Sequence, residues 1–200
     1  MKRTTLFRII ACIAAIFTLL GLGGCNSKSG KKDSTNTKTI YADIVIKDYG
    51  TITVQLDREA APITVDNFVS LAESGFYDGL TFHRIIKGFM MQGGAPKDGQ
   101  KPEYIVGEFE SNGYENPLKH TRGAISMART SIPDSASSQF FIVHETSPHL
   151  DGDYAAFGYV TEGMEVVDAV CESARPTDGN GSIAPADQPV IETITIRTEN

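Results

Sequence analysis

The chain has no tryptophan, only 3 cysteines in 200 residues, and no surplus of positive charge. Each shortage excludes something. Three cysteines are too few for the disulfide framework of a small secreted scaffold. With 18 Lys and Arg against 25 Asp and Glu, the net charge is −7. Sequence-independent binding to DNA or RNA needs a basic surface, so no nucleic-acid partner is expected. The uncharged run Ile9–Gly24, apolar up to Leu20 except for Thr18, has 16 residues, short of the roughly 20 that a spanning helix needs. There is no G-x-x-x-x-G-K phosphate loop and no G-x-S-x-G nucleophile elbow. His144 and His149 enclose Glu145 but lie five residues apart, so they would not share a helix face, and Pro148 would break the helix. No metal site and no cofactor are expected.

What is present divides into residues 1–24, 25–39 and 40–200. Lys2, Arg3 and Arg8 precede the apolar run, an order that reads as a secretory signal. The run ends in Leu22-Gly23-Gly24-Cys25, which resembles a bacterial lipobox. That resemblance implies cleavage before Cys25 and acylation of its thiol. The mature protein would then be a lipoprotein anchored at the extracytoplasmic face of the cell membrane, held stably by two or more acyl chains. Cys12 would leave with the signal peptide and Cys25 would carry lipid, so Cys171 would have no intrachain partner. Cys171 falls in an apolar helical pattern and reads as a core residue. Residues 26–39 are Ser, Lys, Thr, Asn and Gly with a single Asp, a flexible polar linker. Residues 25–39 carry a net +3, whereas residues 40–200 carry 11 Lys and Arg against 24 Asp and Glu, a net −13. An acidic domain on a basic tether is expected.

From Ile40 the pattern is that of one domain, expected to be a monomer. Ile40, Ala42, Ile44 and Ile46 alternate, Asp48-Tyr49-Gly50 turns the chain, and Ile52, Val54 and Leu56 alternate again, predicting a β-hairpin. Pro62 opens a helix whose Val65, Phe68, Val69, Leu71 and Ala72 share a face, and Gly75 stops it. Short apolar runs follow at 81–86, 89–92, 124–127, 140–143 and 155–160, separated by turn-rich sequence. Met164, Val167, Val170 and Cys171 predict a second helix, and 190–196 a last strand. Many short strands with only two helices point to a mainly-β fold, a closed or nearly closed antiparallel barrel.

One segment carries unusual chemistry: Phe82-His83-Arg84-Ile85-Ile86-Lys87-Gly88-Phe89-Met90-Met91-Gln92-Gly93-Gly94. Read as two strands, it puts Phe82, Arg84 and Ile86 on one face, and sets Phe89 and Met91 against Met90 and Gln92. His83 falls on the face away from Arg84 and reads as structural. Periodicity alone allows a surface Arg paired with a carboxylate above a core of Phe and Met. Two further blocks agree with a different reading. They are Gly123-Ala124-Ile125-Ser126-Met127-Ala128-Arg129 with Ser137-Ser138-Gln139-Phe140-Phe141-Ile142, and Leu150-Asp151-Gly152 with Phe157-Gly158-Tyr159-Val160. In order and spacing, from about Ile40 to Ile196, these resemble the cyclophilins, a family of peptidyl-prolyl cis–trans isomerases.

The resemblance implies an eight-stranded antiparallel barrel capped by two helices. It implies that Arg84 is the catalytic arginine, aided by Gln92, and that Phe89, Met90, Phe141 and Leu150 form the proline pocket. It further implies that Gln92 and Gln139 bind the substrate backbone, and that Ala128 and Arg129 lie on an edge that pairs with the peptide. Arg129 stands where eukaryotic members have Asn, a position used largely through its backbone. His149 stands where some members carry Trp, which implies weak cyclosporin sensitivity. Tyr154 replaces a pocket His and would still close the wall. Partners would be proline-containing polypeptides, among them secreted or surface proteins during folding. The rival expectation is a proline-peptide-binding module or holdase chaperone with negligible turnover.

Such chemistry suits these residue types. Rotation about a peptide bond costs about 18–20 kcal/mol because it breaks amide resonance. In the twisted amide the proline nitrogen regains its lone pair. A donor aimed at that nitrogen binds the transition state better than either ground state. An arginine supplies charge and hydrogen bonds there, not a transferable proton.

Overall fold

The computed structural model describes residues 38–199. The predicted signal peptide, Cys25 and residues 26–37 lie outside the described residues. Among those described, no helix is long and apolar enough to cross a membrane.

Strands β1 (Thr39–Ile46) and β2 (Gly50–Leu56) form the predicted hairpin, with Ile46 opposite Gly50. Its turn needs left-handed backbone at Asp48, φ 65°, and at Gly50, φ 128°, which suits a short polar residue and a glycine. Helix α1 (Pro62–Glu73) follows, then β3 (Phe82–Ile86), β4 (Met90–Gly93), β5 (Ala124–Met127), β6 (Phe140–Val143) and β7 (Ala156–Glu162). Helix α2 (Met164–Ser173) and β8 (Ile191–Glu199) complete the order. All strands pair antiparallel in the order β3-β4-β6-β5-β7-β2-β1-β8, and the sheet curls into a half-barrel. β3 and β8, at the two ends of that order, share no ladder. The segment leading into β3 approaches β8 instead: Gly79 N–H donates to the Ile191 carbonyl at 2.8 Å, and Ile191 N–H to the Leu80 carbonyl at 2.8 Å.

The apolar residues that alternate along the strands meet inside the curl. Phe68 of α1 is fully buried and touches Tyr77, Phe140 and Phe157 with ring centroids 5.2–5.5 Å apart. Phe82 meets Phe140 edge-on at 5.9 Å. From α2, Val166, Val167, Val170 and Cys171 join the same core, and burial pushes the Cys171 thiol up to about 12. Burial leaves a thiolate there little solvation, and the Asp168 carboxylate adds to the shift.

The start of α1 has no capping side chain of its own. Its free N–H groups are taken by Glu108, a buried residue from a distant loop. The Glu108 carboxylate accepts from Ile63 N–H at 3.0 Å and from Thr64 N–H at 2.7 Å. A negative group there also complements the helix dipole.

The face assignments expected for β3 and β4 change in one respect each. Phe82 pairs with Gly93 and Arg84 with Gln92, so His83 is an extra residue in the ladder. This bulge puts Phe82 on the opposite face from Arg84, with Ile85 in the core and Ile86 beside the cleft. Phe89 lies in the turn ahead of β4, outside its alternation. It therefore packs on the same side as Met90, while Met91 enters the core.

Candidate active site

β4, β6 and β5 are buried on both faces. The inner face feeds the core, and the outer face floors a cleft. Along β6, Phe140 and Ile142 point inward while Phe141 and Val143 point to the cleft. On β5, Ser126 sits opposite Phe141. The cleft contains a cavity of about 140 Å³ lined by Arg84, Phe89, Met90, Gln92, Ala128, Arg129, Phe141, Leu150 and Tyr154. Three distant stretches of chain thus supply one wall each.

Arg84 is held from two sides. Its Nε donates to the Asn180 carbonyl at 2.8 Å, and its Nη1 donates to Gln92 Oε1 at 3.2 Å and lies 3.7 Å from Met90 Sδ. The guanidinium carbon stands 6.0 Å from the centre of the Phe89 ring. Gln92 then donates through Nε2 to Gln139 Oε1 at 3.0 Å, so both ends of its amide are committed. Among the described residues, Arg84 takes part in no ion pair and its Nη2 has no hydrogen-bond partner. The cleft therefore holds a positioned cation with a free donor.

Asn180 belongs to a tight loop that Asp178 organises. Its carboxylate accepts from Asn180 N–H, Ser182 N–H and the Ser182 hydroxyl at 2.8–3.0 Å. Those hydrogen bonds, from Ser182 first, hold Asp178 below the usual carboxylate range. Gly181 is required where this loop crosses β3: a Cβ there would lie 2.4 Å from Ile86 and 2.8 Å from the Ile85 carbonyl.

The apolar wall is tied down by polar groups behind it. The His120 ring is buried and stacks on Phe141, centroids 6.0 Å apart and planes 17° apart. His120 Nδ1 lies 3.0 Å from Asp151 Oδ1, and Nε2 lies 3.0 Å from Ser126 Oγ. Burial lowers the pKa of His120 despite the Asp151 carboxylate. Burial alone would raise Asp151, but hydrogen bonds from His120 outweigh it and lower its pKa. Tyr154 meets Phe141 edge-on at 5.9 Å and closes the side. Burial also lowers His83, whose Nδ1 has no partner, and His83 is not part of the cavity lining.

Nine of the residues expected at the site line the cavity, and two do not. Gln139 is reached only through Gln92 and lines a neighbouring cavity of about 110 Å³. His149 is exposed at the rim, its ring 5.4 Å from that of Phe89. Arg129, whose expected role is carried by its backbone, is among the nine that line the cavity. Its guanidinium is clasped between the rings of Phe109 and Tyr154, at 4.9 and 4.7 Å. His120, Asp178 and Asn180 were not anticipated. Ser126 and Asp151 lie inside matching blocks without an assigned role, and Asp178-Gly179-Asn180-Gly181 lies outside all of them. Among the described residues, no group of His, Cys, Asp or Glu is arranged to hold a metal.

Comparison with known proteins agrees with this geometry. Residues 41–198 match the family model of the cyclophilin-type peptidyl-prolyl cis-trans isomerases. The chain is 50% identical over 130 residues to peptidyl-prolyl cis-trans isomerase B of Bacillus subtilis, covering 64% of this chain and 87% of that protein. It is 37% identical over 189 residues to peptidyl-prolyl cis-trans isomerase A of Dickeya dadantii, covering 92% and 96%. A crystal structure of a cyclophilin-type isomerase from Cryptosporidium parvum, obtained in the presence of the dipeptide Ala-Pro, superposes with a TM-score of 0.68. That alignment has 31% identity and covers 80% of this chain and 99% of that one. A fold, a cleft and a sequence that agree over the same residues have one reading: the chain belongs to the cyclophilin-type peptidyl-prolyl cis-trans isomerases.

Proposed function

We propose that the protein catalyses rotation about X-Pro peptide bonds in the cleft above β4, β5 and β6, with Arg84 as the catalytic residue. The observation that carries this is the Arg84 guanidinium: fixed by Asn180 and Gln92, unpaired with any described carboxylate, and beside an apolar cavity. The proline ring sits against Phe89, Met90, Phe141 and Leu150. The Ala-Pro dipeptide used with the Cryptosporidium relative supports this substrate class. Arg84 then donates to the proline nitrogen as resonance is lost. The apolar wall excludes water and so strengthens that contact in the twisted state. Gln92 holds the guanidinium rather than reacting, and Gln139 fixes Gln92. Ala128, whose N–H is given to the Gln139 carbonyl at 2.9 Å, offers its own carbonyl to the extended peptide, and His149 with Tyr154 bounds the pocket. No cofactor has a part in this scheme. A binding module without turnover has no need of a fixed, unpaired donor inside the proline pocket.

The test is isomerisation of a short X-Pro peptide by wild-type protein and by Arg84→Ala. A loss of about 10²–10³ in kcat/KM is expected, the scale on which one preorganised donor acts. Equal rates above the uncatalysed background would sink the mechanism.

The same proposal extends to location and state. Residues 1–24 are a signal peptide, Cys25 carries the lipid, and a monomeric domain of residues 40–200 serves secreted or surface proteins at the extracytoplasmic face of the cell membrane. The Lys2-Arg3 start and the Leu22–Cys25 tetrad support this. Fatty-acid labelling that persists in Cys25→Ala would overturn it. The contacts between Gly79–Leu80 and Ile191 support reading the half-barrel as a closed one.

A further inference from the structure

Phe89, one wall of the proline cavity, is half-buried and belongs to a turn at the surface. The turn is Ile86-Lys87-Gly88-Phe89, closed by Phe89 N–H to the Ile86 carbonyl at 3.0 Å. Gly88 takes left-handed backbone there, φ 80°, and a Cβ on it would meet nothing within 4 Å. The outer side of the turn is open, so the place of the Phe89 ring is set by what grips the turn from inside.

His144 grips it at two points. It directly follows β6, and only 8% of its side chain is exposed. Its N–H donates to the Phe89 carbonyl at 2.9 Å. Its ring Nδ1 accepts from Gly88 N–H at 2.9 Å. One residue thus brackets Phe89, holding the N–H before it and the carbonyl after it.

An Nδ1 that accepts carries no proton, so the proton of the neutral ring is on Nε2. Nε2 lies 3.3 Å from Asp168 Oδ1 on α2. Arg122 Nη2 donates to both oxygens of that carboxylate, at 2.7 and 2.8 Å, and Arg122 Nη1 to the His144 carbonyl at 2.7 Å. The carboxylate fixes the tautomer, and the arginine balances its charge. The other charges beside this chain are Glu145, 3.9 Å from Arg122, and Lys87 of the turn, paired with Glu172 of α2 at 2.6 Å. Both partners of that last pair are more than half exposed, so it holds the turn weakly.

We propose that His144 is a positioning residue for the isomerase: its Nδ1, oriented by Asp168 through Nε2, holds Phe89 against the proline ring. This rests on the proposed isomerase reading and adds to that site a residue outside the cavity lining. Phe89 meets the proline ring in the ground state and the twisted state alike. Misplacing it weakens both, which raises KM and leaves kcat nearly unchanged.

Nitrogen NMR of the wild-type protein at pH 8 reads the tautomer and should show His144 protonated on Nε2. A proton on Nδ1 overturns the proposal. Three substitutions then separate the two nitrogens. In His144→Asn the side-chain carbonyl reaches the place of Nδ1, in His144→Gln only that of Nε2, and His144→Leu has no acceptor. KM for a short X-Pro peptide should rise about three- to tenfold in His144→Gln and His144→Leu, the scale of one ordinary hydrogen bond. In both, kcat should stay within about twofold, and His144→Asn should keep KM within about twofold of wild type. Hydrogen exchange at Gly88 N–H should quicken in His144→Gln and His144→Leu but not in His144→Asn. Glu172→Gln, which breaks the exposed pair, should leave KM as it is.

A merely structural residue lowers the folded fraction, and with it kcat, at constant KM. That pattern, or a KM raised equally in His144→Asn and His144→Gln, overturns the proposal. Should His144→Leu fail to fold, the tautomer and the contrast of His144→Asn with His144→Gln decide alone. Binding of the same peptide, followed by fluorescence anisotropy, separates the two readings. Wild-type binding without turnover, weakened in His144→Gln but not in His144→Asn, overturns the isomerase reading and supports the role of His144. No binding of any proline peptide overturns both.

Discussion

Phe140 and Phe141 are neighbours in sequence and belong to different parts of the molecule. Phe140 points into a core of aromatic and aliphatic side chains, where Phe68, Tyr77 and Phe82 surround it. Phe141 points the other way, into a small cluster with Met90, Ala124, Val143 and Leu150. That second layer is too thin to hold itself by burial. It is fixed from behind by polar contacts: His120 under Phe141, and Gln92 between Arg84 and Gln139. The core is stabilised by apolar area, the cleft by hydrogen bonds that orient a few rings around an open space. A site that must admit a proline cannot be packed to the density of a core.

Substitution of the two phenylalanines tests that contrast. Phe140→Ala should have the largest effect, a loss of roughly 3–5 kcal/mol of stability, read from urea unfolding. Phe141→Ala should cost less stability but lower kcat/KM by about 10–100-fold, since a wall of the proline pocket is lost. Equal stability losses with activity retained in Phe141→Ala would erase the distinction.

Acid should weaken the protein through the cleft support. The folded state lowers the pKa of both His120 and His83. Below about pH 6.5 the unfolded chain therefore takes up protons that the folded chain resists. Stability is full above that pH and is lost as pH falls towards the folded values. The melting temperature should drop between pH 7 and pH 5, and less so in His120→Gln. A slope unchanged by that substitution would remove His120 from the account. The smallest effect concerns the core alone. Cys171 is buried with its thiol pushed up to about 12, so a thiol reagent at pH 8 should modify it only when urea is added. Rapid labelling of Cys171 in the native state, located by peptide mapping, would show that the α2 face of the core opens.

Much of this was legible in the chain. Alternation placed three strands, short apolar runs the other five, and helical spacing both helices, to within a residue or two over most of the domain. That follows from the two-residue period of a strand and the 3.6-residue period of a helix, both local properties. The Phe82–Gly94 segment and its two companion blocks contain eight of the nine residues that line the cavity, and the ninth, Tyr154, lies between the two parts of the third block. What stayed hidden was relational. A bulge at His83 reverses the parity of Phe82 against Arg84, and no periodicity marks an extra residue in a ladder. Glu108 serves α1 from 44 residues away in sequence. Asn180 reaches Arg84 across 96 positions.

The sequence by itself determined the family, the order of elements and most of the residues that line the cleft. Those are encoded in local patterns and in contiguous blocks. Only the tertiary structure decided that the Arg129 guanidinium lies between Phe109 and Tyr154, that His120 supports Phe141, and that Arg84 is left with a free donor. Each of these depends on which distant groups fill a side chain's hydrogen-bonding and stacking positions, and that is settled only when the chain closes on itself.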